Sequence, residues 1–162
     1  MNEPEGNDGS EQVYVACFVC DKAIESKEGF FSAINIFDKF EIDVPEGMEI
    51  PEPFNTNTVQ CISIFRSRVV PIAFTVTWRI TGPNGKSISS GPQPVRIVEG
   101  TSGHTSTFPV TLPGAQVGVY WIEVLVDGRT AAFTPLSIAH VPVKPSSFDK
   151  AGSKAEQQRG QI

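Results

Sequence analysis

The stretch that most constrains the fold of this chain runs from Gly118 to Arg129, Gly-Val-Tyr-Trp-Ile-Glu-Val-Leu-Val-Asp-Gly-Arg. A β-rich segment led by glycine reaches Asp127-Gly128, two residues that tolerate the positive φ angles of a tight hairpin loop. The chain must therefore return on itself as antiparallel strands. That loop pairs Val126 with Arg129, Val124 with Ala131 and Ile122 with Phe133. Tyr120, Ile122, Val124, Ala131 and Phe133 then share an inner face. Leu136 and Ile138 fall on the wrong parity, and Pro135, opposite Tyr120, cannot donate to a ladder. A bulge or an edge position is expected at Pro135, where one extra residue returns Leu136 and Ile138 to the core.

The rest of the chain follows the same pattern, with about eight strand candidates and no convincing helix. Ile72 to Ile80 alternates cleanly, with Ile72, Phe74, Val76, Trp78 and Ile80 inward. Pro83-Asn84-Gly85 suits a three-residue loop with Gly85 in the left-handed conformation, which sets Ile80 opposite Ile88 on the inner face. Gly91-Pro92-Gln93-Pro94 breaks the return strand, and Val95 to Val98 continues it along an edge or in another sheet. Val13 to Cys20 is apolar on both faces and reads as a strand buried on both sides. Phe30 to Phe40, Val59 to Phe65 and Thr105 to Leu112 are further strands; the last directs Phe108, Val110 and Leu112 inward. A Pro-rich, acidic connection from about Glu41 to Thr58 carries the chain between sheets. Gly118-x-Tyr120 fits a tyrosine corner, in which a Tyr at a strand entry bonds to nearby backbone, or else an ordinary core aromatic.

These elements predict an all-β, antiparallel sandwich of immunoglobulin-like or C2-like type, with a closed barrel as the alternative. The 162 residues fit one domain, expected over residues 12–143. Residues 1–11, acidic and polar, and residues 144–162, without apolar periodicity, are expected to be disordered. Area scaling buries about two-thirds of the unfolded surface, enough for a core without staples. A net charge of −5 argues against general nucleic-acid binding, and no signal-like or membrane-spanning run is visible. A cytoplasmic location is expected.

The residues that could carry chemistry are few. Cys17-Phe-Val-Cys20 spells C-x-x-C, but a spacing of three on an extended strand sets the thiols on opposite faces. Cys61 stands alone, so buried core thiols are expected. His104 and His140, the two histidines, read as surface residues and build no nucleophilic constellation. Glu41, Asp43, Glu46, Glu49 and Glu52 are too spread between prolines and hydrophobes for a calcium loop. Asp21 and Asp38 follow apolar runs and read as turn caps. No catalytic residue, cofactor or metal site is expected.

One surface stands out. On the opening hairpin Val119, Trp121 and Leu125 face away from the core, interrupted by Glu123. Contiguous apolar surface marks a partner, unless another segment covers it, and Trp is enriched at such sites.

The order of several short motifs resembles a family of short bacterial proteins of unknown function with β-sandwich folds. The motifs are Cys20-Asp21, Asn35-Ile36-Phe37-Asp38, the Pro-rich crossover, Gly82-Pro83-Asn84-Gly85, and Gly118-x-Tyr120 followed by Asp127-Gly128. The resemblance spans residues 13–140. Where similar proteins carry Gly-Lys after the first aspartate, this chain has Lys27-Glu28-Gly29. The family implies the sandwich and a bacterial or phage setting, with no catalytic residues to carry over. The expected function is a non-catalytic protein-interaction or assembly module, binding a protein partner or itself. The alternative is a small-ligand or glycan binder using end loops, where Phe54 is the main aromatic; an enzyme is disfavoured.

Overall fold

A computed structural model describes residues 12–27, 31–48, 58–101, 103–112 and 115–143. The two segments expected to be disordered, and Phe54, Glu49 and Glu52, lie outside the described residues. Ten strands and no α-helix make up the described residues: β1 (Val13–Glu25), β2 (Phe31–Phe37), β3 (Lys39–Pro45), β4 (Val59–Ser67), β5 (Ile72–Thr81), β6 (Ser87–Ser89), β7 (Gln93–Ile97), β8 (His104–Val110), β9 (Gly118–Val126) and β10 (Arg129–Val143). They form two sheets, β2-β1-β4-β8 and β3-β10-β9-β5, the latter edged by β6 and β7. The fold is an all-β open sandwich of two sheets, as the turn and strand spacing implied.

Both tight turns take the expected form. Asp127 and Gly128 have φ of 48° and 81°, the two positive angles that let a two-residue loop match the twist of its strands. Gly85 has φ of 77°, and the loop is closed by Gly82 N–H to Lys86 O at 2.9 Å. Ile80 does pair with Ile88, yet Ile80 is buried and Ile88, on the three-residue edge strand β6, is exposed. After the Gly91-Pro92 break the return strand continues as β7 on the same edge of β5, with Ile72 opposite Ile97.

The bulge is present, but not at Pro135. Leu125 pairs with Thr130 and Val124 with Ala132, so Ala131 is the extra residue. Val124 therefore does not meet Ala131, nor Ile122 Phe133; Ile122 meets Thr134, and Pro135 lies opposite Trp121. Leu136 and Ile138 return to the core as required, at the cost of expelling Phe133 to the outer face.

Two strand boundaries also differ. Phe30 to Phe40 is not one strand. Phe37 pairs with Val19 in the first sheet, and two residues later Lys39 pairs with Ser137 in the second. The chain changes sheets at Asp38, whose carbonyl accepts Ser137 N–H at 2.7 Å. The start of the expected crossover is thus β3, parallel to β10, with half-buried Phe40 and Ile42 and buried Val44 alternating with exposed Glu41 and Asp43. The first strand extends beyond Cys20 to Glu25. Its inner face (Val13, Val15, Cys17, Val19) packs on or toward the core, but Tyr14 and Ala16 are exposed, so β1 is not buried on both sides along its length.

The core lies between the sheets around Trp78. Its ring stacks on Phe108 at 5.1 Å, and its Nε1–H donates to Ser63 Oγ at 3.0 Å. Ser63 is the one buried polar residue among those described. Trp78 is on β5 and Ser63 on β4, so this hydrogen bond joins the two sheets and satisfies an indole donor that would otherwise be orphaned.

Candidate functional site

Tyr120 is a tyrosine corner. Its hydroxyl accepts the Gln116 N–H at 2.8 Å and faces the Gln116 carbonyl at 3.2 Å. Gly118, two residues earlier, has φ of 139°, and a Cβ there would fall 2.7 Å from Pro83 Cβ, so only glycine lets the β5–β6 turn approach. The turn is also tied by Asn84 Nδ2 to Gln116 Oε1 at 3.3 Å. Beside the corner a cleft of about 300 Å³ is lined by Ile80, Gly82, Asn84, Lys86, Ile88, Leu112, Ala115 and Tyr120. This is the sandwich end available to the ligand-binding alternative.

The outer face of β9 carries the residues singled out from sequence. Val119 and Trp121 are exposed at 42% and 44%, whereas Leu125 is buried at 8%. The surface therefore does not run the length of the strand. Between Trp121 and Leu125, Glu123 receives a forked pair of bonds from Arg79 on β5, Nε to Oε2 at 2.7 Å and Nη2 to Oε1 at 2.8 Å. Thr130 Oγ1 donates to the same carboxylate at 3.2 Å. These bonds, Arg79 foremost, hold the Glu123 carboxyl below the ordinary carboxylate range despite partial burial. Glu123 raises the Arg79 guanidinium in turn.

The residue that sequence reasoning missed is Phe133. Placed in the core by a bulge at Pro135, it is instead 63% exposed and meets Trp121 edge to face, with centroids 5.6 Å apart. The parity conflict of Leu136 and Ile138 was a signal for one extra residue, without saying where. Trp121, Phe133, Thr81 and Glu123 line a shallow depression of about 400 Å³.

The thiols are buried in strand surroundings, Cys17 partly and Cys20 and Cys61 fully. Burial pushes Cys17 up to about 11. Burial, then proximity to Cys17, pushes Cys61 up to about 12. Burial and the charge of Asp21 raise Cys20. Protonated thiols are poor nucleophiles and ligands at neutral pH. His104 and His140 are half-buried strand residues rather than free surface groups; His104 Nε2 bonds Ser106 Oγ at 2.9 Å and its ring lies against Phe65. Asp21 is within β1, where its carboxylate accepts Asn35 Nδ2 at 2.7 Å. Among the described residues no three His, Cys, Asp or Glu converge as metal ligands. Nor is any helix among them long and apolar enough to cross a membrane.

No family model matches the chain, and no curated protein matches it significantly. Among solved structures it is similar to a Pseudomonas aeruginosa immunoglobulin-like protein, at 11% identity and a TM-score of 0.35 over 79% of this chain and 97% of that one. It is also similar to the Pseudomonas fluorescens alkylpurine DNA glycosylase AlkC, at 12% identity and a TM-score of 0.39 over 61% of this chain. The match spans 27% of the glycosylase's length.

Proposed function

We propose that this protein is a non-catalytic interaction module of the bacterial cytoplasm that engages a protein partner through the outer face of β9 and β10. The observation that carries the reading is the exposed Trp121–Phe133 pair, flanked by Val119, on a sheet face that would otherwise meet water. Two aromatic rings already in contact offer a large, rigid apolar anchor with little side-chain freedom left to lose on binding. The Arg79–Glu123 fork bounds it and supplies a polar rim. Self-association through the same face is one form of the reading, and free thiols raised by burial suit a reducing compartment. The test compares partners recovered from the native host with wild type, Trp121→Ala and Tyr14→Ala, alongside light scattering. A partner or dimer lost in Trp121→Ala and kept in Tyr14→Ala supports the reading. Identical recovery and identical mass for all three removes it.

A second reading draws on the cleft beside Tyr120, whose Asn84 and Lys86 offer polar groups for a small ligand or glycan. Stabilisation against heat by a ligand, lost in Lys86→Ala but not in Trp121→Ala, would favour it.

A further inference from the structure

A further cleft is on the opposite side of the molecule, on the outer face of the four-stranded sheet. It measures about 690 Å³, within the roughly 300–1,000 Å³ of small-molecule sites. Its floor is the half-buried Phe18 of β1 and Ile64 of β4; Ile62 between them is 1% exposed, already covered although it faces away from the core. Across from them are Glu25, Phe31 and Ala33 of the β1–β2 hairpin.

That hairpin does not continue flat. Arg66, also lining the cleft, pairs with Tyr14, eleven residues before Glu25. A straight strand would set them apart by about 36 Å at roughly 3.3 Å per residue. Glu25 and Arg66 can border one cleft only if the end of the hairpin curls back over the sheet. The irregularity that permits this is at Asp21 and Asn35, where Asn35 takes φ of 51° and is held by its bond to Asp21.

Arg66 closes one end. Its side chain lies against Gly103, where any Cβ would collide with the guanidinium and with the Phe65 carbonyl. A glycine at 103 leaves the room that the exposed Arg66 side chain occupies, and the guanidinium makes no ion pair with a described residue. Thr101 and Thr105 complete the rim on that side. Glu25, at the hairpin side, brings the opposite charge and disfavours a second acidic group on a ligand.

We propose that this cleft binds a small amphipathic monocarboxylate of the fatty-acid class. The carboxylate is held by Arg66, and the alkyl body lies on the half-buried Phe18 and Ile64. An Arg–carboxylate pair supplies orientation through two parallel hydrogen bonds, and the exposed parts of the two apolar side chains add contact area. This site is independent of the Trp121 face.

Titration of the full-length protein with decanoate, followed by amide NMR, tests the proposal. Saturable shifts at Phe18, Ile62, Ile64 and Thr105 are expected below about 1 mM. Arg66→Gln should weaken binding about tenfold with an unchanged Tm, the loss expected for a charge-assisted bond. Thr101→Trp, at an exposed rim position, should block the cleft without touching its floor. Decylamine and the dicarboxylate sebacate should bind more weakly than decanoate. No saturable shift, as when a segment of this chain or a second copy fills the cleft, overturns the proposal. So do shifts confined to Trp121 and Phe133, equal affinity in Arg66→Gln, or equal affinity for decylamine.

Discussion

Tyr120→Phe removes one oxygen atom and with it both bonds of the tyrosine corner. The Gln116 N–H at 2.8 Å loses its acceptor, and the Gln116 carbonyl at 3.2 Å loses its donor. Each bond is worth roughly 0.5–1.5 kcal/mol net, and a donor left without a partner in a partly buried site costs about 1–3 kcal/mol. The Tyr120 ring stays, so its packing on Gly82 is kept and no cavity opens. The sum is about 2 kcal/mol, or roughly 6–10 °C in Tm for a domain of this size. Urea unfolding measures it directly, with an unchanged m-value showing that only stability moved. Gln116→Ala is the informative control. The corner uses the backbone of Gln116, and the side chain contributes only the bond from Asn84 at 3.3 Å. Gln116→Ala should therefore cost less than about 0.5 kcal/mol. A Tyr120→Phe protein within that margin of wild type, or a control as damaging as the variant, refutes the assignment of a backbone-directed corner.

Three further expectations follow from the same geometry. Ser63→Ala leaves the Trp78 indole N–H unpaired between the sheets and should destabilise by about 1–3 kcal/mol in urea; a neutral effect would mean water replaces the hydroxyl. Glu123→Gln should lower Tm more at pH 7 than at pH 3. The folded carboxyl is held below its unfolded value, so its stabilisation is fully present above the ordinary carboxylate range and is lost as pH falls through the lowered folded value; equal offsets at both pH values contradict this. The thiols have the opposite sign. Folded Cys17 and Cys61 are raised to about 11 and about 12 from 9.0, so the fold loses stability as pH climbs above 9.0. A Cys17→Ala/Cys61→Ala protein should show a flatter Tm profile between pH 8 and 11, and an identical slope argues against it.

How far the sequence could be read depended on whether a local rule decided the outcome. Asp127-Gly128 and Pro83-Asn84-Gly85 are turns because few residues take positive φ, so both were legible and both pairings start where expected. The alternation of Ile72 to Ile80 fixed a face for the same local reason. The bulge was a different matter. Its existence followed from the parity of Leu136 and Ile138, but Ala131 and Pro135 satisfy that parity equally, and the difference decides whether Phe133 is core or surface. The alternation of Phe40, Ile42 and Val44 was present in the sequence, yet Glu41, Asp43 and Pro45 resemble a solvated loop because an edge strand has one wet face. The curl of the β1–β2 hairpin had no local signal beyond Asn35, since polar Asp21 to Glu25 reads as a link. Of the interaction face, Val119 and Trp121 were legible and Phe133 was not.

β3 has a consequence for how this molecule behaves at high concentration. Without it, the long strand β10 would end the six-stranded sheet, offering free backbone donors and acceptors beside Leu136 and Ile138 to any passing chain. Such an edge is a template for aggregation and strand exchange. β3 occupies that edge in parallel register from Lys39 to Pro45, and the rim it presents instead carries Lys39, Glu41 and Asp43 and ends in a proline. Charges and a missing N–H make a poor template for a further strand. The seven residues after Asp38 thus work as a guard rail, keeping one copy of the sandwich from adding to the next.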